Sequence, residues 1–155
     1  MEIEGSGSPH SGHAIGKPVV FLSLVRHGLG LAYNLADLIP AVSIGTVSLE
    51  YASDRRRVES RLHLVNAPSL RDARVMLFDP IIGTGISVGS ALTLVHRSGA
   101  TDLSLLSYVV SAEGLARVQA AVPEVVVWTA AIDPDLDPKR GPLPGIGDFA
   151  SRLYG

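Results

Sequence analysis

Short apolar stretches alternate with amphipathic ones along most of this 155-residue chain. Continuous apolar runs such as VVFLSLV from Val19 and ARVMLF from Ala73 predict buried strands, whereas SVGSALTLVHRSG from Ser87 has helical spacing. Further strands are predicted at AVSIGTVSL, LSLLSYVV and EVVVWTAAI, and further helices at GLGLAYNLADLIP and SAEGLARVQAAV. The alternation predicts an α/β fold, with a mostly parallel sheet flanked by helices.

Local signals mark where these elements end. Ser111 is expected to cap the helix that follows it, and Gly99 to end the preceding helix.

We expect residues 1–17 to form an irregular or partly ordered N-terminal segment with a short strand at 2–4, and residues 18–155 to form a single domain. We expect a hairpin in the polar stretch 50–62, and a loop rich in Pro and Gly over 133–155.

Composition narrows the class of protein. With 46% hydrophobic and 18% charged residues the chain can bury a core. A net charge of −2 gives no case for broad nucleic-acid binding. The absence of cysteine excludes disulfides and a cysteine nucleophile and fits a cytoplasmic protein. The apolar runs are too short to span a membrane. His10 and His13 are not expected to bind a metal.

The loop DPIIGTGIS, which begins at Asp79, carries the clearest chemistry. Gly83 and Gly85 let backbone N–H groups approach an anion, Thr84 and Ser87 add hydroxyls, and the next helix contributes its positive end. Asp79 can accept hydrogen bonds from sugar hydroxyls. The loop therefore suggests a ribose 5-phosphate cradle, although a plain strand-to-helix turn has a similar composition. The lysine of an ATP-binding loop is missing.

Four segments in order then resemble one family. VMLFDPIIGTGIS resembles the phosphoribosyl pyrophosphate loop of phosphoribosyltransferases, in the form found in uracil phosphoribosyltransferase. LVRHGLGL, SAEGLARVQAAVPEVVVWTAAID and PGIGDFASRLYG resemble further segments of that family, and IEG at Ile3–Gly5 resembles the start of its central region. The resemblance implies a phosphoribosyltransferase-like (Rossmann-like) fold.

The resemblance also implies the role of each site residue. Arg26 would contact the pyrophosphate leaving group, with Gly28 allowing a close approach, and Arg26 and Asp79 are the predicted catalytic residues. Alternatively, Arg26 is a surface residue and Asp148 only forms a turn. The base would be bound by Pro142, Gly147, Asp148 and Phe149. Phosphoribosyl pyrophosphate would be bound by Arg26, Asp79, Pro80, Ile81, Ile82, Gly83, Thr84, Gly85, Ile86, Ser87 and Asp148.

The implied reaction converts uracil and phosphoribosyl pyrophosphate to UMP and pyrophosphate. Mg²⁺ would arrive with phosphoribosyl pyrophosphate rather than occupy a dedicated protein site, and the protein would be a homodimer or larger. No protein nucleophile is needed, so His27, His63 and His96 are expected to be surface or core residues. Three alternatives stay open, namely a relative that acts on a more apolar substrate, an inert module that binds a phosphoribosyl ligand, and a structural subunit that needs a partner to replace its missing N-terminal part.

Several positions depart from the family pattern. The helical N-terminal portion that precedes the IEG region in relatives is expected to be missing, and Ile86 replaces a glycine, which would reshape the cradle if that residue needed a positive φ. Tyr51 stands where a second pyrophosphate-binding arginine is expected; Arg55–Arg57 either substitute for that arginine or form a solvated face. Pro142, Phe149 and Ala150–Ser151 replace residues at the base site. A phenyl ring there would either fill the base pocket or line a more apolar one.

Overall fold

A computed structural model describes residues 2–3, 10–11, 13–39, 41–51, 58–137 and 141–154. Its helices are α1 (Leu29–Ala36), α2 (Ile86–Arg97), α3 (Ala112–Ala121) and α4 (Phe149–Tyr154). Its strands are β1 (Glu2–Ile3), β2 (His10–Ser11), β3 (Val19–Leu24), β4 (Ser43–Tyr51), β5 (Val58–His63), β6 (Arg74–Phe78), β7 (Ile81–Ile82), β8 (Asp102–Ser111), β9 (Val126–Asp133), β10 (Asp135–Asp137) and β11 (Gly141–Leu143).

The central sheet is mostly parallel, as the alternation of strands and helices predicted. Its strands lie in the order β5-β4-β3-β6-β8-β9, and the short β7 pairs with the end of β8 on the β6 side. Only β5 runs antiparallel, because it returns from β4 as the predicted hairpin. Parallel strands β3, β6 and β8 therefore end at one edge of the sheet, where the loops that follow them meet.

Helices cover both faces of this sheet. One core cluster, under α2 and α3, contains Leu22, Leu77, Leu92 and Leu105. A second cluster lies under α1, where the rings of Phe21 and Phe78 meet edge to face with centroids 4.7 Å apart. Every residue of β3 is buried, which explains why its sequence is apolar on both faces, with Ser23 as its only polar residue.

The predicted helix ends are confirmed. Ser111 Oγ accepts a hydrogen bond of 2.9 Å from Gly114 N–H, which caps α3. Gly99 follows α2 with a φ of +105°, the left-handed conformation that lets a chain leave a helix. Helix α1, in contrast, ends at Ala36, short of the predicted stretch.

The prediction of a structureless C-terminal loop is wrong. Strands β10 and β11 pair antiparallel, and α4 follows them. Three-residue strands are too short to show a hydrophobic period, and the Pro and Gly residues around them gave the signal of a loop. At the other end, the strand expected at residues 2–4 is present as β1, which pairs with β2.

Candidate active site at the carboxyl edge of the sheet

Two adjoining cavities lie at the carboxyl edge of the sheet. The first, of about 370 Å³, is enclosed by the turn after β3 and by the loop from β6 to α2. The second, of about 610 Å³, is enclosed by the segment 141–149 and by parts of the same turn and loop. The two cavities share His27, Ile81 and Gly83. A ligand can therefore extend from one cavity into the other.

The first cavity gathers most of the predicted sugar-phosphate residues. The turn after β3 contributes Arg26, and α2 begins beside the loop, so the positive end of that helix faces the cavity. Pro80 and Ile86 do not line it. The loop contributes Asp79, Ile81, Ile82, Gly83, Thr84, Gly85 and Ser87.

Pro80 holds the loop to the sheet instead. Its carbonyl accepts hydrogen bonds from Tyr108 N–H at 2.9 Å and from the buried Ser107 Oγ at 3.0 Å. These contacts fasten the loop to β8, immediately after Asp79. Pro80 thus has a structural role: its backbone carbonyl attaches the loop to the sheet.

The loop takes its left-handed turn at Gly85, not at Ile86. Gly85 has a φ of +74° and precedes α2, while Ile86 is the first helical residue and is exposed. Ile86 N–H lies 3.4 Å from Thr84 Oγ1, an additional contact at the helix start. An isoleucine at position 86 therefore fits the loop without a strained backbone, and the expected reshaping for that reason is wrong.

Helix α3 supports the loop from behind. Ser111 Oγ donates a hydrogen bond of 2.7 Å to the Gly83 carbonyl, and Arg117 donates one to the Thr84 carbonyl. Gly114 lies so close that a Cβ there would be 2.2 Å from the Gly83 oxygen. Helix α3 thus holds the loop in position through close backbone contact and two hydrogen bonds.

Asp79 is a buried carboxyl group at the first cavity. Its side chain accepts a hydrogen bond from Ile81 N–H, and the residue is only 7% exposed. Burial raises the pKa of Asp79 from 3.8 to about 7, although the Ile81 hydrogen bond lowers the pKa and limits the rise. Near neutral pH the carboxyl can therefore both accept and donate hydrogen bonds, and its repulsion of a nearby phosphate is reduced.

The turn at residues 25–28 brings Arg26 and His27 to the cavities. Both side chains are exposed, and the Val25–Arg26 peptide bond is cis. Gly28 is buried, and a Cβ there would lie 2.2 Å from the Phe78 carbonyl oxygen. Packing against the end of β6 thus requires a glycine at position 28. This requirement is independent of the close approach to pyrophosphate that the resemblance implies.

The second cavity contains all four predicted base-site residues. Pro142, Gly147, Asp148 and Phe149 line it, together with Gly141, Leu143 and Pro144. Phe149 is half-buried, and its ring meets that of Tyr108 edge to face with centroids 6.2 Å apart. Because about 610 Å³ remains open, Phe149 is a wall of this cavity and does not fill it.

Asp148 has a structural role that favours the turn-forming alternative. Its Oδ1 accepts a hydrogen bond of 3.0 Å from Ser151 N–H, and its Oδ2 one of 2.8 Å from Ser151 Oγ. These bonds cap α4 at its N-terminus. The buried Asp133 stabilises the same segment through a 2.8 Å hydrogen bond from Gly145 N–H.

The remaining residues singled out from the sequence are an arginine cluster, a tyrosine and three histidines. The Arg55–Arg57 cluster lies outside the described residues, as does the side chain of Tyr51. His27, His63 and His96 are exposed, as expected, but His27 also lines both cavities. The position of His27, directly after Arg26 in the LVRHGLGL segment, was the sequence signal that this histidine lies at the site.

The described residues show no group of three or more His, Cys, Asp or Glu side chains that could hold a metal ion. None of their helices is long and apolar enough to cross a membrane. Among the described residues that line the first cavity, Asp79 has the only carboxyl group.

Comparisons with known proteins identify the class and then the family. The purine phosphoribosyltransferase from Pyrococcus horikoshii Ot3 superimposes with a TM-score of 0.54 at 17% identity, over 77% of this chain and 81% of that one. The solved AQ2163 protein from Aquifex aeolicus gives a TM-score of 0.83 at 21% identity, covering 99% of this chain and 74% of that one. The fold is that of the phosphoribosyltransferases, as the resemblance implied.

Sequence comparison is more specific. The family model for uracil phosphoribosyltransferase matches residues 3–155. A uracil phosphoribosyltransferase from Caulobacter sp. (strain K31) is 34% identical over 157 residues, which cover 100% of this chain and 74% of that relative. The chain belongs to the uracil phosphoribosyltransferase family.

Proposed function

We propose that this protein transfers the phosphoribosyl group of phosphoribosyl pyrophosphate to uracil, forming UMP and releasing pyrophosphate. The observation that carries the proposal is the glycine loop with Asp79 and Arg26 around one cavity that opens into a second. Family membership supports the same reaction.

The reaction joins uracil N1 to the anomeric carbon and breaks the bond from that carbon to the pyrophosphate oxygen. The bonding electrons leave with pyrophosphate, and the N1 proton is released. No covalent enzyme intermediate is required, because the two substrates lie side by side and positioning lowers the barrier. In our proposal the first cavity holds the sugar phosphate and pyrophosphate, and the second holds the base.

Each group has a physical task in this scheme. Backbone N–H groups of the loop 83–87 and the start of α2 bind the 5-phosphate. Asp79 binds the ribose hydroxyls, and Arg26 stabilises charge that develops on the leaving pyrophosphate. The walls formed by Pro142 and Phe149 exclude water from the base.

In this proposal Mg²⁺ binds together with phosphoribosyl pyrophosphate and not at a separate protein site. The residues lining the first cavity offer a single carboxyl, Asp79, whose raised pKa weakens it as a ligand, so the phosphate oxygens of the substrate would hold the ion. Bound Mg²⁺ supplies charge neutralisation on pyrophosphate. Removal of Mg²⁺ with EDTA should abolish turnover, and excess Mg²⁺ should restore it.

The direct test is product formation. Purified protein, uracil, phosphoribosyl pyrophosphate and Mg²⁺ should yield UMP, detected by chromatography. Arg26→Ala should raise the KM for phosphoribosyl pyrophosphate about 10- to 100-fold, because a charge-assisted contact is lost. Arg71→Ala, an exposed arginine that lines neither cavity, is the matched control. Absence of UMP at high protein concentration would refute the proposal.

Binding tests the cradle separately from catalysis. Calorimetry should detect the binding of ribose 5-phosphate, and Asp79→Ala should lower the affinity for this ligand. Equal affinity in the two proteins would remove Asp79 from the cradle. Binding without UMP formation would favour the inert-module alternative, whereas turnover of other bases only would favour the apolar-substrate alternative.

The proposal places the enzyme in the cytoplasm as a homodimer or larger assembly. An apolar strip on β9 supports self-association, since Val126 is 50%, Trp128 59% and Ile132 56% exposed. Light scattering should give at least twice the mass of one chain. Trp128→Glu should weaken the assembly, whereas Val65→Glu, at an exposed valine beyond β5, should not. A monomer would contradict this part.

A further inference from the structure

His27 lies where the two cavities join. Of the three residues that the cavities share, Ile81 is apolar and Gly83 offers only its backbone, so the imidazole is their only shared polar side chain. The turn between β3 and α1 holds it directly after Arg26. A group at this place can contact a ligand in either cavity.

The proposed reaction puts its reacting carbon at the same junction. The anomeric carbon is bonded to pyrophosphate before the transfer and to uracil after it. With the sugar phosphate in one cavity and the base in the other, this carbon lies between them. His27 is therefore close to the oxygen on which negative charge develops.

The groups around the junction leave room for a further hydrogen-bond donor. Facing the cavities are Arg26 from the turn, Asp79 from the loop and Asp148 from the segment 141–149. Among the described residues that line these two cavities, Arg26 is the only arginine, and no lysine is present. A pyrophosphate group has more acceptor oxygens than one guanidinium and the Mg²⁺ that comes with the substrate can contact, and an imidazole next to Arg26 would add a donor.

We infer that His27 is a second pyrophosphate-contacting residue, which acts with Arg26 to hold the leaving group of phosphoribosyl pyrophosphate. This inference rests on the proposed function for its substrate. It also departs from the expectation that the histidines have no part in the site. The predicted contact is to the diphosphate and not to the 5-phosphate, which lies at the loop 83–87.

Calorimetry with two ligands tests the contact. His27→Ala should weaken the binding of phosphoribosyl pyrophosphate about fivefold to tenfold, because a donor to the diphosphate is lost. Ribose 5-phosphate, which has no diphosphate, should bind the two proteins equally. His27→Lys, which keeps a donor at this position, should restore the affinity for phosphoribosyl pyrophosphate. His96→Ala, at an exposed histidine at the end of α2, is the matched control.

Asp79 lines the first cavity beside Arg26 and His27, so the comparison is repeated in an Asp79→Asn background. The His27-dependent difference should persist there. Equal losses for both ligands, or no loss for phosphoribosyl pyrophosphate, would overturn the inference, as would failure of His27→Lys to restore affinity.

Failure of this inference is distinguishable from failure of the proposed function. If the parent protein forms UMP and His27→Ala has an unchanged KM for phosphoribosyl pyrophosphate, the inference is wrong and the function stands. If no UMP forms but phosphoribosyl pyrophosphate binding depends on His27 as described, the contact stands and the reaction is wrong.

Discussion

Gly114 on α3 packs against the loop from β6 to α2. Its replacement by alanine tests how far a displacement of that loop lowers activity. In Gly114→Ala the new Cβ would lie 2.2 Å from the Gly83 carbonyl oxygen and 3.1 Å from Ile82 Cγ2. Relief of the first contact to 3.0 Å requires a movement of at least 0.8 Å, because 3.0 minus 2.2 is 0.8. The oxygen belongs to the backbone, so the loop and the start of α3 have to move apart.

The displacement should cost more in function than in stability. Overpacking destabilises by about 1–3 kcal/mol, and alanine in a helix recovers up to about 1 kcal/mol relative to glycine. A shift of about 1 Å in a positioned substrate can reduce turnover about 100-fold. We therefore expect a free energy of unfolding lowered by about 0–2 kcal/mol and UMP formation reduced about 100-fold.

Gly89→Ala provides the matched control, because it is also a helical glycine. Its Cβ would lie 3.6 Å from Ala121 Cβ, an ordinary van der Waals contact. Urea unfolding, ribose 5-phosphate calorimetry and the UMP assay should leave this variant close to the parent protein. A Gly114→Ala protein that binds ribose 5-phosphate with parental affinity would refute the assignment of α3 as the support of the loop.

Three further predictions address other groups of the site. Asp79 has a raised pKa in the folded state, so its contribution to stability is full below the unfolded value of about 3.8 and is lost as the pH rises through about 7. Asp79→Asn should therefore remove a fall in the free energy of unfolding between pH 4 and 7, of at most about 4 kcal/mol, and a parental slope in urea titrations would contradict this. Ser111→Ala should lower the free energy of unfolding by about 1–3 kcal/mol in the same titrations, because both the cap of α3 and the bond to Gly83 are lost; an unchanged midpoint would disprove it. Phe149→Ala should raise the KM for uracil about tenfold with the KM for phosphoribosyl pyrophosphate within about twofold, since only the base wall is removed. Equal changes in both KM values would show that Phe149 does not belong to the base cavity.

The elements beside the first cavity were predictable because their signals are local. A buried parallel strand is mostly apolar, as β3 and β6 are apart from Ser23 and Arg74, and the capping role of Ser111 follows from its place before a helix. The order of strand, glycine loop and helix around Asp79 is by itself enough to indicate a ligand site at the sheet edge.

Other features depend on contacts that sequence spacing does not reveal. Gly114 approaches Gly83 from a distant helix, and Asp79 is buried only because β8 and the loop enclose it. His27 differs from His63 and His96 in that it lines both cavities where they join, and no local sequence pattern marks such a position. Helix α4 was missed because the short Pro- and Gly-rich segment before it resembles a loop.

The two cavities differ in how firmly the fold holds them. The loop of the first cavity is attached to β8 through Pro80 and to α3 through Ser111. The second cavity is enclosed largely by the segment 141–149, which leads into α4, whose residues Ser151–Leu153 are exposed. A change at Phe149 can therefore alter the wall of the second cavity while the loop of the first keeps its attachments. In the proposed function, the base and the phosphoribosyl group lie in these structurally separate parts of one site, which meet at His27.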